Sequence, residues 1–136
     1  MKRLRRLLFG PGQLPEDLRA ALTAEGLVLL DEGLPGTITY RGRRAGGRRS
    51  SWTKDPTIGA IAVTGRRLVV WAGHSKHIDV LLADPRRTAI QISAQRRGRL
   101  CFAFDAGAFD PAHTGRVELR LRPADAARVT ELLASA

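Results

Sequence analysis

Apolar positions recur at every second residue between Ile58 and Asp84, which is the spacing of β-strands. The run from Leu68 to Trp71 is apolar on both faces, as in a strand that is covered on both sides. Short turn segments separate the runs, and Pro85 ends the last one because proline cannot donate to a sheet ladder. The stretch therefore predicts a three-stranded antiparallel meander, with alternating apolar positions at Ile61, Val63, Leu68, Val70, Ile78, Val80 and Leu82.

Further strands and two helices are predicted on either side of this meander. Pro15 and the two acids after it begin a short amphipathic helix that Gly26 ends, and Pro123 begins a closing helix. Residues 33–36 contain two glycines and a proline and predict a turn. The remaining alternating runs predict strands at residues 27–31, 37–41, 89–93, 100–104 and 117–121.

Residues 42–57 break the alternation and are rich in Arg, Gly and Ser, so they predict an irregular basic loop. Arginine side chains and glycine backbone N–H groups can surround a phosphate, and a tryptophan can stack on a base or lie at a lipid interface. The alternative is a solvated loop whose charges have no specific role. The candidate anion-binding residues are Arg41, Arg43, Arg44, Arg48, Arg49, Trp52 and Lys54.

Length and charge narrow the class of protein. A chain of 136 residues predicts one domain, and a net charge of +10 favours anionic partners. Because 20 of the 23 cations are arginine, a general compositional bias explains the charge equally well. No apolar run is long enough to span a bilayer, and the apolar part of the N-terminus is too short for a signal peptide. The single Cys101 is expected to be a small buried hydrophobe, and the expected location is the cytoplasm.

Residue patterns of known catalytic and metal sites do not occur. His74 and His77 stand three apart but flank a predicted turn, with no Cys, Glu or third His near them. Asp105 and Asp110 lack the ligand density of a calcium loop, and His113 is isolated. Nucleophile-elbow, P-loop and dinucleotide-binding patterns are missing. The sequence therefore predicts a non-catalytic protein with no metal and no cofactor.

The order of elements resembles the pleckstrin-homology-like (PH-like) superfold, and within it the bacterial PH-like and GRAM-like modules. The residues that carry the likeness are Gly59–Val70, which are similar to the hairpin of that group, and Ile78–Leu82, which are similar to its next strand. The strand Val117–Leu121 and the helix at 123–135 match in place. The likeness divides the chain into an N-terminal basic segment with a short helix, residues 1–26, and a PH-like domain, residues 27–136.

This resemblance implies a mainly β (α+β) fold: a bent antiparallel barrel of two near-orthogonal sheets with a C-terminal capping helix and, here, one extra N-terminal helix. It also implies a binding scaffold rather than a catalyst. In lipid-binding relatives, basic residues between the first two strands hold a phosphoinositide headgroup, and Arg41, Arg43 and Arg44 lie near the corresponding place. The loop of this chain departs from that pattern, because it is long and lacks the usual lysine spacing.

Three functions follow as hypotheses. The first is a module that offers a groove or a sheet edge to a protein partner or to a second copy of itself. The second is peripheral binding to anionic membrane lipids, at the inner face of the membrane, through residues 41–54 together with the cations of the N-terminal basic segment. The third is nucleic-acid binding, which is less favoured because few aromatic residues are available for stacking.

Overall fold

The computed structural model describes residues 12–45, 48–109 and 114–134. Predictions for the N-terminal cations of residues 1–11, for Asp110 and for His113 lie outside the described residues. Within the described ranges, two α-helices and seven strands follow in the order α1 Glu16–Gly26, β1 Leu27–Ala45, β2 Arg48–Thr64, β3 Arg67–Ala72, β4 Ser75–Leu81, β5 Gln91–Ala94, β6 Leu100–Asp105, β7 Thr114–Leu121 and α2 Ala126–Ala134.

The strands form one antiparallel sheet in the order β4-β3-β2-β1-β7-β6-β5, which curls into a half-barrel. Two meanders make up this sheet, β1 to β4 and β5 to β7. They meet where β1 pairs with β7, from Gly36 opposite Leu121 to Arg44 opposite Thr114. The predicted fold class is confirmed at this level: mainly antiparallel β, with one helix before the sheet and one after it.

The turn predicted at residues 33–36 is wrong, because β1 runs continuously through it. The pairing of β1 with β2 shifts register between Asp31 and Leu34, as at a β-bulge, and Gly33 takes a φ of 70° there. A bulge bends a strand without ending its pairing. The glycine and proline that suggest a turn therefore mark a bend within one long strand.

The irregular loop predicted at residues 42–57 is also wrong. Strands β1 and β2 continue through it, with Thr37 opposite Pro56 and Ala45 opposite Arg48. Backbone pairing extends from the packed part of the sheet, and β7 supports the other side of β1 as far as Arg44. An antiparallel ladder needs no apolar side chains of its own when it continues a packed one, so the loss of alternation did not end the strands. We call residues 36–45 and 48–57 the hairpin arm.

The main core lies on one face of the sheet, here the inner face. Phe102, Leu119 and Leu121 are fully buried there, and Val129 and Leu133 of α2 pack into the same cluster. Consequently the inward positions predicted for β2, β3, β4, β6 and β7 are confirmed.

On the opposite, outer face, α1 covers β2 and β3. Leu22 is fully buried in a second cluster with Leu14, Ala60, Ala62 and Val69. An ion-pair network joins the helix to the sheet, since Arg67 contacts Glu25 at 2.6 Å and Asp79 at 3.1 Å. The predicted packing of the N-terminal helix on the sheet is therefore confirmed.

Cys101 also lies on the outer face, opposite Arg120 of β7. The residue is only 4% exposed, which confirms the predicted small buried hydrophobe. Burial raises the pKa of its thiol, partly offset by the nearby guanidinium of Arg120.

Candidate interaction surface

All seven candidate residues lie in the hairpin arm, where antiparallel pairing sets four of them opposite one another. The register places Arg41 opposite Trp52 and Arg44 opposite Arg49. The other candidates face uncharged residues: Arg43 is opposite Ser50, Arg48 opposite Ala45 and Lys54 opposite Thr39. The structure therefore places the backbones of the predicted cations on a two-stranded ladder, and the side chains of Arg43, Arg44, Arg48 and Arg49 lie outside what it describes.

Trp52 is the most exposed aromatic residue of the arm, with 53% of its surface open to solvent. Its register partner Arg41 also has an exposed side chain, and Lys54 lies two residues along the same strand. Residues two apart on a strand share a face, so Trp52 and Lys54 share the outer face with Arg41. The arm thus presents an apolar ring between two cations.

Arg41 is held in place by Glu118 of β7, a residue that sequence reasoning missed. The Nε of Arg41 donates to Oε1 of Glu118 at 2.7 Å, and Arg120 donates to Oε2 at 3.0 Å. Arg120 also donates to the side-chain oxygen of Gln95 at 3.1 Å. The polar alternation of β7 was visible in the sequence, but its pairing with β1 was not, so this partner could not be assigned.

The pKa of Glu118 lies below its ordinary value because it accepts the hydrogen bond from Arg41, and Arg120 adds to the effect against the opposing effect of burial. A lowered carboxyl pKa gives stability that is complete above the ordinary value of 4.5 and is lost as the pH falls below it. We expect Glu118→Gln to lower the free energy of unfolding by about 1 kcal/mol at pH 7 and to flatten its decline between about pH 5 and 3. Urea unfolding at several pH values measures both effects.

Asp55 supplies the control for this prediction. It is an exposed acid of the same arm, with no hydrogen bond or ion pair to any residue that the structure describes. Asp55→Asn removes the same charge and should leave the pH profile close to that of the wild type. A Glu118→Gln profile that runs parallel to the wild type would contradict the assigned role of Glu118.

Among the residues that the structure describes, none pairs with one edge of β2 along the arm. The carbonyl of Ile58 accepts from the N–H of Gly73 at 3.0 Å, so the backbone groups of Ile58 point toward β3. Because β3 ends at Ala72, no described strand continues beside β2 from Trp52 to Pro56. Backbone direction alternates along an antiparallel strand, so Trp52, Lys54 and Pro56 present their backbone groups to this open side.

The N–H and C=O groups of Trp52 and Lys54 are therefore available for pairing. Pro56 has no N–H and limits the open edge at the end nearest the body of the sheet. Sequence reasoning missed this edge, because it depends on where β3 ends relative to β2.

The described ranges, residues 12–45, 48–109 and 114–134, contain metal-ligating side chains and two α-helices. No group of three or more metal-ligating side chains comes together there. Neither described helix has the length and apolar character needed to cross a bilayer.

Comparison with protein-family models gave no match, and comparison with curated proteins gave none either.

Proposed function

We propose that this protein is a non-catalytic PH-like interaction module that pairs an extended segment of a protein partner, or of a second copy of itself, with the open edge of β2. The observation that carries the proposal is the backbone edge of Trp52 and Lys54, with which no described strand pairs, beside an exposed indole ring. The PH-like assignment is supported by the two meanders and the closing helix. The bulge in β1 also supports it, because a bend there can turn one sheet into two near-orthogonal layers.

Strand addition suits this edge for two physical reasons. Main-chain hydrogen bonds to an added strand do not depend on the partner's sequence, so they supply affinity, while neighbouring side chains supply specificity. The ring of Trp52 offers a large apolar surface at a low cost in conformational entropy.

A single backbone substitution tests this proposal. Lys54→Pro removes the N–H that points to the open side and leaves the ladder with β1 in place, whereas Lys54→Ala removes only the charge. We expect at least a tenfold loss of binding for Lys54→Pro and a small change for Lys54→Ala, because one main-chain bond and the register of the added strand are lost. Sedimentation velocity over a wide concentration range measures self-association, and a displayed library of random extended peptides measures partner binding.

The two variants distinguish binding through the backbone edge from binding through the charge of Lys54. Equal losses for the two variants would show that charge, and not the backbone edge, causes the binding. A wild-type protein that stays monomeric and selects no peptide would overturn the proposal.

Binding to anionic lipid headgroups is the second candidate function. The observation that favours it is the exposed ring of Trp52 beside Arg41 and Lys54 on one face, because an aromatic ring and cations together suit the interface of an anionic membrane. Co-sedimentation with neutral and with anionic vesicles, at low and at near-physiological salt, tests this function. Binding that is restricted to anionic vesicles, survives salt and is weakened by Arg43→Ala and Arg44→Ala supports it, and binding that disappears with salt rules it out.

A further inference from the structure

A small cationic cavity lies at the base of the hairpin arm, on the β7 side of β1. It has a volume of about 270 Å³ and is lined by Pro35, Gly36, Thr37, Arg99 and Arg122. None of these lining residues is acidic. The volume is below that of the pockets that hold drug-sized ligands, so the cavity suits a small ion or a single chemical group.

Three strands bring the lining residues together. Leu121 of β7 lies opposite Gly36 on one side and opposite Leu100 on the other. One step further, the N–H of Arg122 donates to the carbonyl of Pro35 at 3.1 Å. The same antiparallel step sets Arg99 opposite Arg122, just beyond the ladder of β6 and β7.

Two of the lining residues carry donors that no described residue satisfies. The hydroxyl of Thr37 and the Nε of Arg99 are buried and have no hydrogen-bond partner. Neither Arg99 nor Arg122 forms an ion pair within the described part of the chain. Arg120 of β7, two residues before Arg122, is instead paired with Glu118 at 3.0 Å. Buried donors without partners are costly and uncommon, so they point to a missing acceptor.

The positive charges of Arg99 and Arg122 also indicate a missing anionic acceptor. Two arginines that face each other across neighbouring strands repel, and the repulsion is removed by an anion that both can contact. Guanidinium groups bind the oxygens of phosphate through paired N–H donors, and a hydroxyl can donate to a further oxygen. We propose that this cavity is a binding site for a phosphate group, with Arg99, Arg122 and Thr37 as its donors.

The phosphate group can come from two sources: free inorganic phosphate, or a phosphate monoester on a lipid headgroup. Both present the same oxygens to the same donors. The site shares no residue with the open edge of β2, so it is independent of the interaction proposed above.

NMR titration of the full-length, nitrogen-15-labelled protein with inorganic phosphate tests the site, with sodium chloride keeping the ionic strength constant. We expect saturable shifts of the Arg99 side-chain Nε–H and of the Gly36 and Thr37 amides, with a Kd of about 1 mM or below. Arg122→Gln should weaken binding about tenfold because it removes a charged donor. Thr37→Val should weaken it several-fold without changing the net charge.

The control is Arg128→Gln, which removes an exposed arginine of α2 that lies outside the cavity. Its affinity for phosphate should equal that of the wild type. Equal weakening by Arg128→Gln and Arg122→Gln, or an unchanged affinity in Thr37→Val, would mean diffuse attraction by the net charge and would overturn the proposal. The lack of saturable shifts at Arg99 and Thr37 would overturn it as well.

Vesicles then separate the two sources once the site binds phosphate in solution. Vesicles containing phosphatidic acid carry a phosphate monoester, and vesicles containing phosphatidylglycerol at matched surface charge do not. Retention on the first kind alone, with release by inorganic phosphate, assigns the site to a lipid headgroup. Equal retention of the protein on both kinds of vesicle, or retention on neither, assigns the site to free phosphate.

Discussion

Gly36→Ala is expected to lower the free energy of unfolding by roughly 3 kcal/mol or more, enough to unfold a protein of marginal stability. A Cβ at this position would lie 1.8 Å from the carbonyl oxygen of Arg120. That oxygen belongs to the backbone of β7 and cannot move aside without disturbing the pairing of β1 with β7, which joins the two meanders. Urea unfolding followed by circular dichroism measures the effect.

Gly65 provides the matched control for this substitution. It lies between β2 and β3, where a Cβ would have no other atom within 4 Å, and its φ is not positive. Gly65→Ala should therefore be neutral or should stabilise the protein by up to about 1 kcal/mol, because alanine restricts the unfolded chain. Similar unfolding energies for the two variants would show that the close approach of β1 and β7 is wrong.

Gly36 also shows what the sequence can reveal about the fold. A glycine beside a proline suggests a turn, and the close approach of another backbone gives no local signal of its own. Strands with one buried face could be predicted, because burial imposes a period of two on Val117, Leu119 and Leu121. The hairpin arm could not be, since its residues are kept in register by a ladder that begins elsewhere in the sheet.

The candidate surface, like the fold, could be predicted from the sequence only in part. Composition alone identified the cations and Trp52, because an irregular, charged stretch with one aromatic residue stands out from the rest of the chain. The ion pair of Arg41 with Glu118 joins residues that are 77 positions apart, so it depends on the order of strands in the sheet. The opposition of Arg99 and Arg122 depends likewise on the register of β6 with β7.

Leu22→Ala is expected to lower the free energy of unfolding by about 3 kcal/mol. Leu22 has no exposed surface, and its removal from the cluster that it forms with Ala60 and Val69 leaves a cavity between α1 and the sheet. Because Arg67 also ties α1 to β3 and β4, we expect the loss to be global and not confined to the helix. Hydrogen exchange under native conditions, read at amides of α1 and of β2, measures where the stability is lost.

The same substitution at Leu81 is the control, because this leucine of β4 is 53% exposed and Leu81→Ala should change stability by no more than about 0.5 kcal/mol. In Leu22→Ala, the slowest amides of α1 and of β2 should lose protection together, as expected when helix and sheet unfold as one cooperative unit. Loss of protection in α1 alone would instead make residues 1–26 an addition that the sheet does not need. The division of the chain at residue 27 would then be a boundary of stability as well as of sequence.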